Sequence, residues 1–256
     1  VIHYSFNEGS GTTAIDTIGG DHSGSLANGV SWSSANDSIA GGAVQFDGVN
    51  DVIQIADSSD INVGTQPERT IAFWFRADDA SKTATQVLYE EGGGTRGLNF
   101  YLEAGTLYFG GWNNNENGWG ESYLSTPLSD DEWHHVAIVL DAPETTNGNF
   151  IAYLDGFEVA RSPAAAINNH TGDIGIGAKN DSTRYHDGSS SGDGNHFEGW
   201  IDEFQLWNRA LPAEEIGQLV SVLQEVGPEL SISSTREGKA ALAIPNGVGL
   251  ILDGAT

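Results

Sequence analysis

The chain has 256 residues, enough for one large β domain or for one domain with part of a second. Its 10 Lys and Arg stand against 36 Asp and Glu, a formal charge of −26, and so acidic a surface repels nucleic-acid phosphates and anionic membrane faces alike. The lack of any Cys excludes disulfides, thiolate zinc sites and cysteine nucleophiles, and no apolar run approaches the roughly 18 residues of a membrane span.

Met is also absent and no basic-then-apolar leader opens the chain, so Val1 is expected to begin an excised or processed piece with no signal peptide. The 34 Gly gather with Asn, Asp and Ser in turn-forming clusters such as Gly19-Gly20-Asp21, Asp47-Gly48, Gly92-Gly93-Gly94, Asp155-Gly156 and Asp187-Gly188. Between them, runs rich in aromatic and β-branched residues predict strands at 1–6, 51–55, 70–76, 86–89, 98–102, 106–112, 133–140, 150–154 and 200–207. Over 198–207, strict alternation sets Glu198, Trp200, Asp202, Phe204 and Leu206 on one face and Ile201, Glu203, Gln205 and Trp207 on the other. Many strands with turn chemistry between them predict an all-β sandwich of two antiparallel sheets. One short helix follows: Pro212 suits its start, Glu214 and Glu215 its positive end, and Ile216, Leu219, Val220 and Leu223 form an apolar stripe expected to pack on the sandwich edge. Gly227-Pro228 then reads as a linker. This divides the chain into a domain at 1–223 and a partial following module at 224–256, too short to bury a core alone.

Several segments carry a family pattern. His3-Tyr4-Ser5-Phe6 opens the series; Phe46-Asp47-Gly48 with Asp51-Val52-Ile53, and Ile71-Ala72-Phe73-Trp74-Phe75, follow. Trp133-His134-His135-Val136-Ala137, Tyr153-Leu154-Asp155-Gly156 and Gly199-Trp200-Ile201-Asp202-Glu203-Phe204, with the helix after it, complete it. In this order, across residues 3–216, they resemble the laminin-G-like and pentraxin-like branch of the concanavalin-A-like lectin/glucanase superfamily. The resemblance implies a jelly roll of two curved antiparallel sheets that commonly binds calcium and often binds carbohydrate. The tail, at Glu237-Gly238-Lys239-Ala240-Ala241-Leu242-Ala243-Ile244, resembles the start of a cadherin-like repeat in large secreted bacterial adhesins. That implies an extracellular or cell-surface setting, with neighbouring modules of the same chain as partners.

Calcium takes six to eight oxygens from carboxylates, amides and carbonyls, which Asp-, Asn- and Gly-rich loops supply. By the resemblance, a structural ion joins the first and last strands, with Asp202 and Asp16 as its ligands; the alternative is that Asp16 caps a turn and Asp202 accepts backbone bonds. A second ion is implied at Asn180 and Asp181, although Lys179 stands where the pentraxins have an acid. Asp187 and Asp193 are candidate further ligands, and Glu90-Glu91 sits near another pentraxin ligand pair.

A sugar site combines an aromatic plate with planar amides and carboxylates. Read as one loop, residues 112–123 have that mix: Trp112, Asn113, Asn114, Glu116 and Trp119 are candidates, joined by Tyr185 and Asp187 from the other long loop. Trp119, between Gly118 and Gly120, is expected at the surface, whereas Trp112 is also compatible with an inward-pointing strand end. Trp74, Trp133, Trp200 and Trp207 read as core or sheet-face residues. The three alternating carboxylates of related glucanases fail here, because Trp200 stands between Glu198 and Asp202. No nucleophile elbow, zinc helix or phosphate loop occurs. The sequence thus predicts a non-catalytic, calcium-dependent or calcium-stabilised carbohydrate-binding module of a secreted adhesin. A protein-interaction or spacer module is the alternative, and a glycoside hydrolase or polysaccharide lyase a more distant one.

Overall fold

The computed structural model describes residues 1–19, 22–33, 37–129, 131–189, 194–225, 231–234, 240–243 and 250–252, with side chains as far as Ser221. Asp193, the linker Gly227-Pro228 and much of the cadherin-like segment lie outside the described residues. The chain divides into two compact units, Val1–Val220 and Ser221–Thr256.

In chain order the strands are β1 (Ile2–Tyr4), β2 (Thr13–Ala14), β3 (Gly24–Ala27), β4 (Ser31–Trp32), β5 (Val44–Asp47), β6 (Val52–Ile55), β7 (Glu68–Ala77) and β8 (Gln86–Gly92). They continue with β9 (Arg96–Glu103), β10 (Thr106–Glu116), β11 (Trp119–Pro127), β12 (His134–Asp141), β13 (Gly148–Leu154), β14 (Phe157–Ala164), β15 (Ile174–Ile176) and β16 (Glu198–Trp207). Helix α1 (Ala213–Glu225) comes next. In the second unit β17 (Ser231–Ser234), β18 (Ala240–Ala243) and β19 (Leu250–Leu252) form a small antiparallel sheet. No helix among the described residues is long and apolar enough to cross a membrane.

Two antiparallel eight-stranded sheets make the jelly roll of the first unit. The first runs β14-β13-β12-β7-β16-β5-β4, with β1 also paired to β16; the second runs β11-β10-β9-β8-β15-β6-β3-β2. Their inner faces meet in an aromatic core, where Phe73 of the first sheet meets Phe100 of the second edge-on at 5.0 Å and Tyr89 stacks on Phe204 at 5.5 Å.

The recurring sequence pieces have local reasons. Asp51 is buried and its Oδ2 accepts the Asp47 N–H at 2.9 Å, which closes the turn. Gly48 takes the left-handed conformation there, at φ 74°. Asp155, also left-handed, accepts the His135 N–H and meets the His134 ring, each at 2.9 Å, so the hairpin is tied to the His-His strand beside it.

Two expectations are corrected. Strict alternation fails on β16: a bulge between Asp202 and Gln205, with Glu203 at φ 51°, lets Ile201, Phe204 and Leu206 all enter the core. The helix packs on an outer face, not on the sandwich edge. Ile216 and Leu211 are buried against Ala72, Ala137, Val139, Ile151 and Tyr153, the outward residues of β7, β12 and β13. An apolar stripe needs an apolar partner, and those strands supply one.

Candidate functional site

Loops gather at one end of the sandwich. Asp57, after β6, accepts the Asn62 side-chain N–H at 2.6 Å and the Asp173 backbone N–H at 3.0 Å, which ties the loop before β7 to the one before β15. Gly172 touches the β8–β9 turn so closely that a Cβ there would fall 2.3 Å from the Gly92 carbonyl oxygen. The Gly94 N–H reaches Ser182 Oγ at 3.2 Å. Glycine-rich turns allow these close approaches, and the result is a polar groove in two recesses.

One recess, about 290 Å³, lies between Gly93-Gly94-Thr95-Arg96 and Asn169-His170-Thr171, with Ser182 beside them. The other, about 430 Å³, is lined by Asp57, Thr171, Gly172, Asp173, Asn180 and Asp181. Thr171 borders both. Their walls are hydroxyls, amides, carboxylates and backbone groups, which suit a hydroxylated ligand.

A buried charge cluster supports the floor. Arg69 bonds Glu91 at 3.2 Å and the Ile61 carbonyl; Glu91 also accepts the Tyr89 hydroxyl at 2.9 Å. His170 Nε2 lies 3.3 Å from Glu91, while its Nδ1 meets the Asn168 carbonyl oxygen at 2.7 Å. Burial pushes the Glu91 carboxyl up, but Arg69 and His170 outweigh it and hold it below its usual value.

The sequence-selected residues divide sharply. Asn180 and Asp181 line the groove. Glu90 lies fully buried on the outward side of β8, opposite Gly175 at the base of the turn that carries them, and neither of its carboxylate oxygens has a hydrogen-bond partner. Burial drives its carboxyl well above the ordinary range, while the Asn180 backbone N–H and the Lys179 ammonium pull the other way. Glu90 and Asp181 offer the carboxylate oxygens a hard divalent cation takes, whereas Asn180 Oδ1 already accepts the Gln54 side-chain N–H at 3.2 Å.

The pair Asp16 and Asp202 does not fit one. Asp202 is buried, and its Oδ2 accepts the N–H groups of Ile39 and Ala40 at 2.9 and 3.1 Å while Oδ1 accepts that of Glu203 at 2.8 Å. Amide donors fill it with the polarity opposite to a cation's. Burial still raises its pKa to about 7. Asp16 Oδ1 accepts the N–H groups of His3 and Ile18, a turn cap, while its Oδ2 is buried without a partner. Among the described residues, no three His, Cys, Asp or Glu side chains converge as a metal cluster.

The expected aromatic loop is a hairpin. Trp112 is buried, its indole N–H on the Gly93 carbonyl at 2.7 Å. Trp119, placed at the surface by its glycine neighbours, is 3% exposed: Gly111 has no side chain, and the indole fills that space inside the sandwich. The Asn run answers backbone needs, since Asn114, Asn115 and Asn117 all have positive φ. Asn113 is buried and donates to the Ala166 carbonyl at 3.1 Å. Glu116 pairs with Arg96 and accepts from Asn168, which lowers its pKa to about 2. Asn113 and Glu116 are therefore pins between loops. Asn114 borders a separate cleft of about 130 Å³ with Asn115, Gly120, Glu121 and Arg184. Tyr185 is buried against Val87 and Tyr101, and Asp187 closes an exposed turn through the Ser189 N–H at 2.8 Å, so neither lines the groove.

Asp57, Asn169, His170, Thr171, Asp173 and Ser182 were not singled out from sequence. Each sits in an irregular stretch with no periodicity to mark it, and only the pairing of distant loops brings them together.

A family model described as the concanavalin A-like lectin/glucanases superfamily matches residues 47–217. No protein of curated function matches the chain in sequence. Among solved structures, the binding domain of botulinum neurotoxin serotype G superposes with a TM-score of 0.67 at 14% identity, over 94% of this chain and 61% of that one. The binding domain of Paraclostridial Mosquitocidal Protein 1 gives 0.65 at 15%, over 94% and 62%. The serotype D ligand-binding domain in complex with N-acetylneuraminic acid gives 0.66 at 12%, over 91% and 52%. The chain thus spans between half and two thirds of each of these chains.

Proposed function

The chain belongs to the concanavalin A-like lectin/glucanase superfamily, and from that premise we propose that it is a non-catalytic glycan-binding module that takes its ligand in the end groove. The observation that carries this reading is the pair of polar recesses that share Thr171 in their linings. Sugar hydroxyls there meet acceptors in Asp173 and Asp181, either role in Asn169 and Asn180, and hydroxyl partners in Thr171 and Ser182. A fold relative in complex with N-acetylneuraminic acid supports sugar as the ligand class. Three carboxylates in one recess favour neutral or hydroxyl-rich sugars over anionic ones.

Calcium is part of the proposal. Glu90, Asn180 and Asp181 would hold it, and the ion would supply a positive centre that fixes the acidic turn and polarises sugar hydroxyls. The tail's resemblance to an adhesin repeat supports an extracellular or cell-surface role beside neighbouring modules.

A glycan array probed with the protein in calcium tests the reading. Binding to at least one glycan class, lost in Thr171→Trp, which crowds the lining the recesses share, is expected. Silence across neutral and acidic polysaccharides overturns it. A second reading, attachment to a protein, is favoured by one observation: Phe157, on the edge strand β14, is 77% exposed.

A further inference from the structure

The outer face of the second sheet carries a row of side chains in register: Glu90, Asn99, Gly110 and Tyr123, on β8, β9, β10 and β11. Two residues along, Tyr101 stands opposite Tyr108, with their rings stacked at 4.8 Å and 7°. The stretch from Lys179 to Ser189 covers this face. Its His186 ring lies on Tyr108 at 4.3 Å and 9°, itself exposed to solvent. The Tyr101 hydroxyl holds both the His186 Nδ1 and its backbone N–H at 3.0 Å.

The cover leaves polar atoms unsatisfied. Asn99 is fully buried; its amide N–H groups reach Thr183 Oγ1 and the Arg184 carbonyl, both at 3.0 Å, but its Oδ1 has no partner. The Tyr123 hydroxyl is buried without one as well. Gly110 keeps the space between them clear of a side chain, since a Cβ there would lie 2.2 Å from Asn99 Oδ1 and 3.2 Å from the Tyr123 ring. Buried polar groups without partners are costly, and this face retains two of them, on β9 and β11.

We propose that this face is a second glycan subsite, in which His186 occupies the place of a sugar ring on Tyr108. A pyranose offers an apolar face for the tyrosine and edge hydroxyls that donate to Asn99 Oδ1 and engage the Tyr123 hydroxyl. Arg184, 3.1 Å from Glu121 across the cleft at the hairpin, extends the surface for a neighbouring residue of the chain. To bare Asn99 the stretch must give up more than the His186 stack, since Tyr185 is buried against Val87 and Tyr101 with its hydroxyl on Asn195 Oδ1 at 3.0 Å. The inference rests on the glycan-binding reading for its ligand class alone and does not need the end groove.

The test titrates cellohexaose, chitohexaose and β-1,4-galactohexaose against the full chain by calorimetry. His186→Ala should tighten binding to at least one of them by about tenfold, since the ligand no longer competes with the imidazole. The gain should survive Thr171→Trp and vanish in Tyr108→Leu, which keeps the packing volume without the aromatic face. No gain with any of the three sugars, or a gain that persists in Tyr108→Leu, overturns the subsite. A gain abolished by Thr171→Trp also overturns it, because the sugar then sits in the groove. A gain that survives while Thr171→Trp leaves wild-type binding unchanged removes the groove reading and keeps this one.

Discussion

Glu90 and Asn99 stand opposite each other on β8 and β9, both turned to the outer face of the second sheet. Neither oxygen of Glu90, nor Oδ1 of Asn99, accepts a hydrogen bond. Folded proteins usually pair such atoms with protein or water, so each of the two residues has capacity for a further partner.

For Glu90 that partner is calcium in our reading. Calcium should raise Tm relative to EDTA, by about 2.7 kcal/mol of stability once the ion is a hundredfold above its Kd, or roughly 5–10 °C. Glu90→Gln should abolish the increment. Asp202→Asn should lower Tm but keep it, because Asp202 is committed to backbone amides. Differential scanning calorimetry decides, and an increment intact in Glu90→Gln places the ion elsewhere.

Two buried groups should oppose each other in pH dependence. Burial lowers the His135 pKa to about 4, so its contribution is present above the unfolded value near 6.5 and is lost as pH falls toward 4. Burial raises the Asp202 pKa to about 7, so its contribution is full below about 4 and is lost as pH rises toward 7. The two slopes have opposite signs in the wild type. Urea titrations should show stability falling from pH 4 to 7 in His135→Gln and rising over the same range in Asp202→Asn; parallel profiles in the two variants would refute the assignment.

Breaking the ion pair under the groove should be expensive. Arg69→Met strands the Glu91 carboxylate in the core and should cost about 3–5 kcal/mol in denaturant unfolding. The double variant Arg69→Met/Glu91→Leu should be more stable than Arg69→Met alone. If it is less stable, the pair contributes net attraction beyond its desolvation.

Trp119 and Asp173 should separate stability from binding. Trp119→Ala empties a core position and should cost about 3–5 kcal/mol while leaving the glycan affinity of the folded fraction unchanged. Asp173→Asn, at the groove lip, should hold stability within about 0.5 kcal/mol and weaken glycan binding. Paired melts and titrations of the two variants check both halves.

Local chemistry wrote much of this fold into the chain. Glycine with Asn or Asp sets the turns, because those residues tolerate positive φ, and the aromatic and β-branched runs between them fit strands that bury side chains. The Asp47-Gly48 turn, the Asp155 hairpin and the stripe of α1 follow from residues close in sequence. Asn180 and Asp181 come from the family resemblance, and they lie in the turn after β15. The groove was not legible, since Asp57, Arg96 and Thr171 are brought to one end only by β15 pairing with β6 and β8, strands about 80 to 120 residues away. Nor did composition tell a ligand-facing indole from a core one. Trp119 has glycines on both sides in sequence, yet what buries it is Gly111, across the hairpin in the next strand. Sequence fixed which residues prefer to turn, extend or hide, because those preferences are local. Tertiary structure decided which face each side chain meets and which oxygens are left bare, because that depends on register, bulges and distant loops.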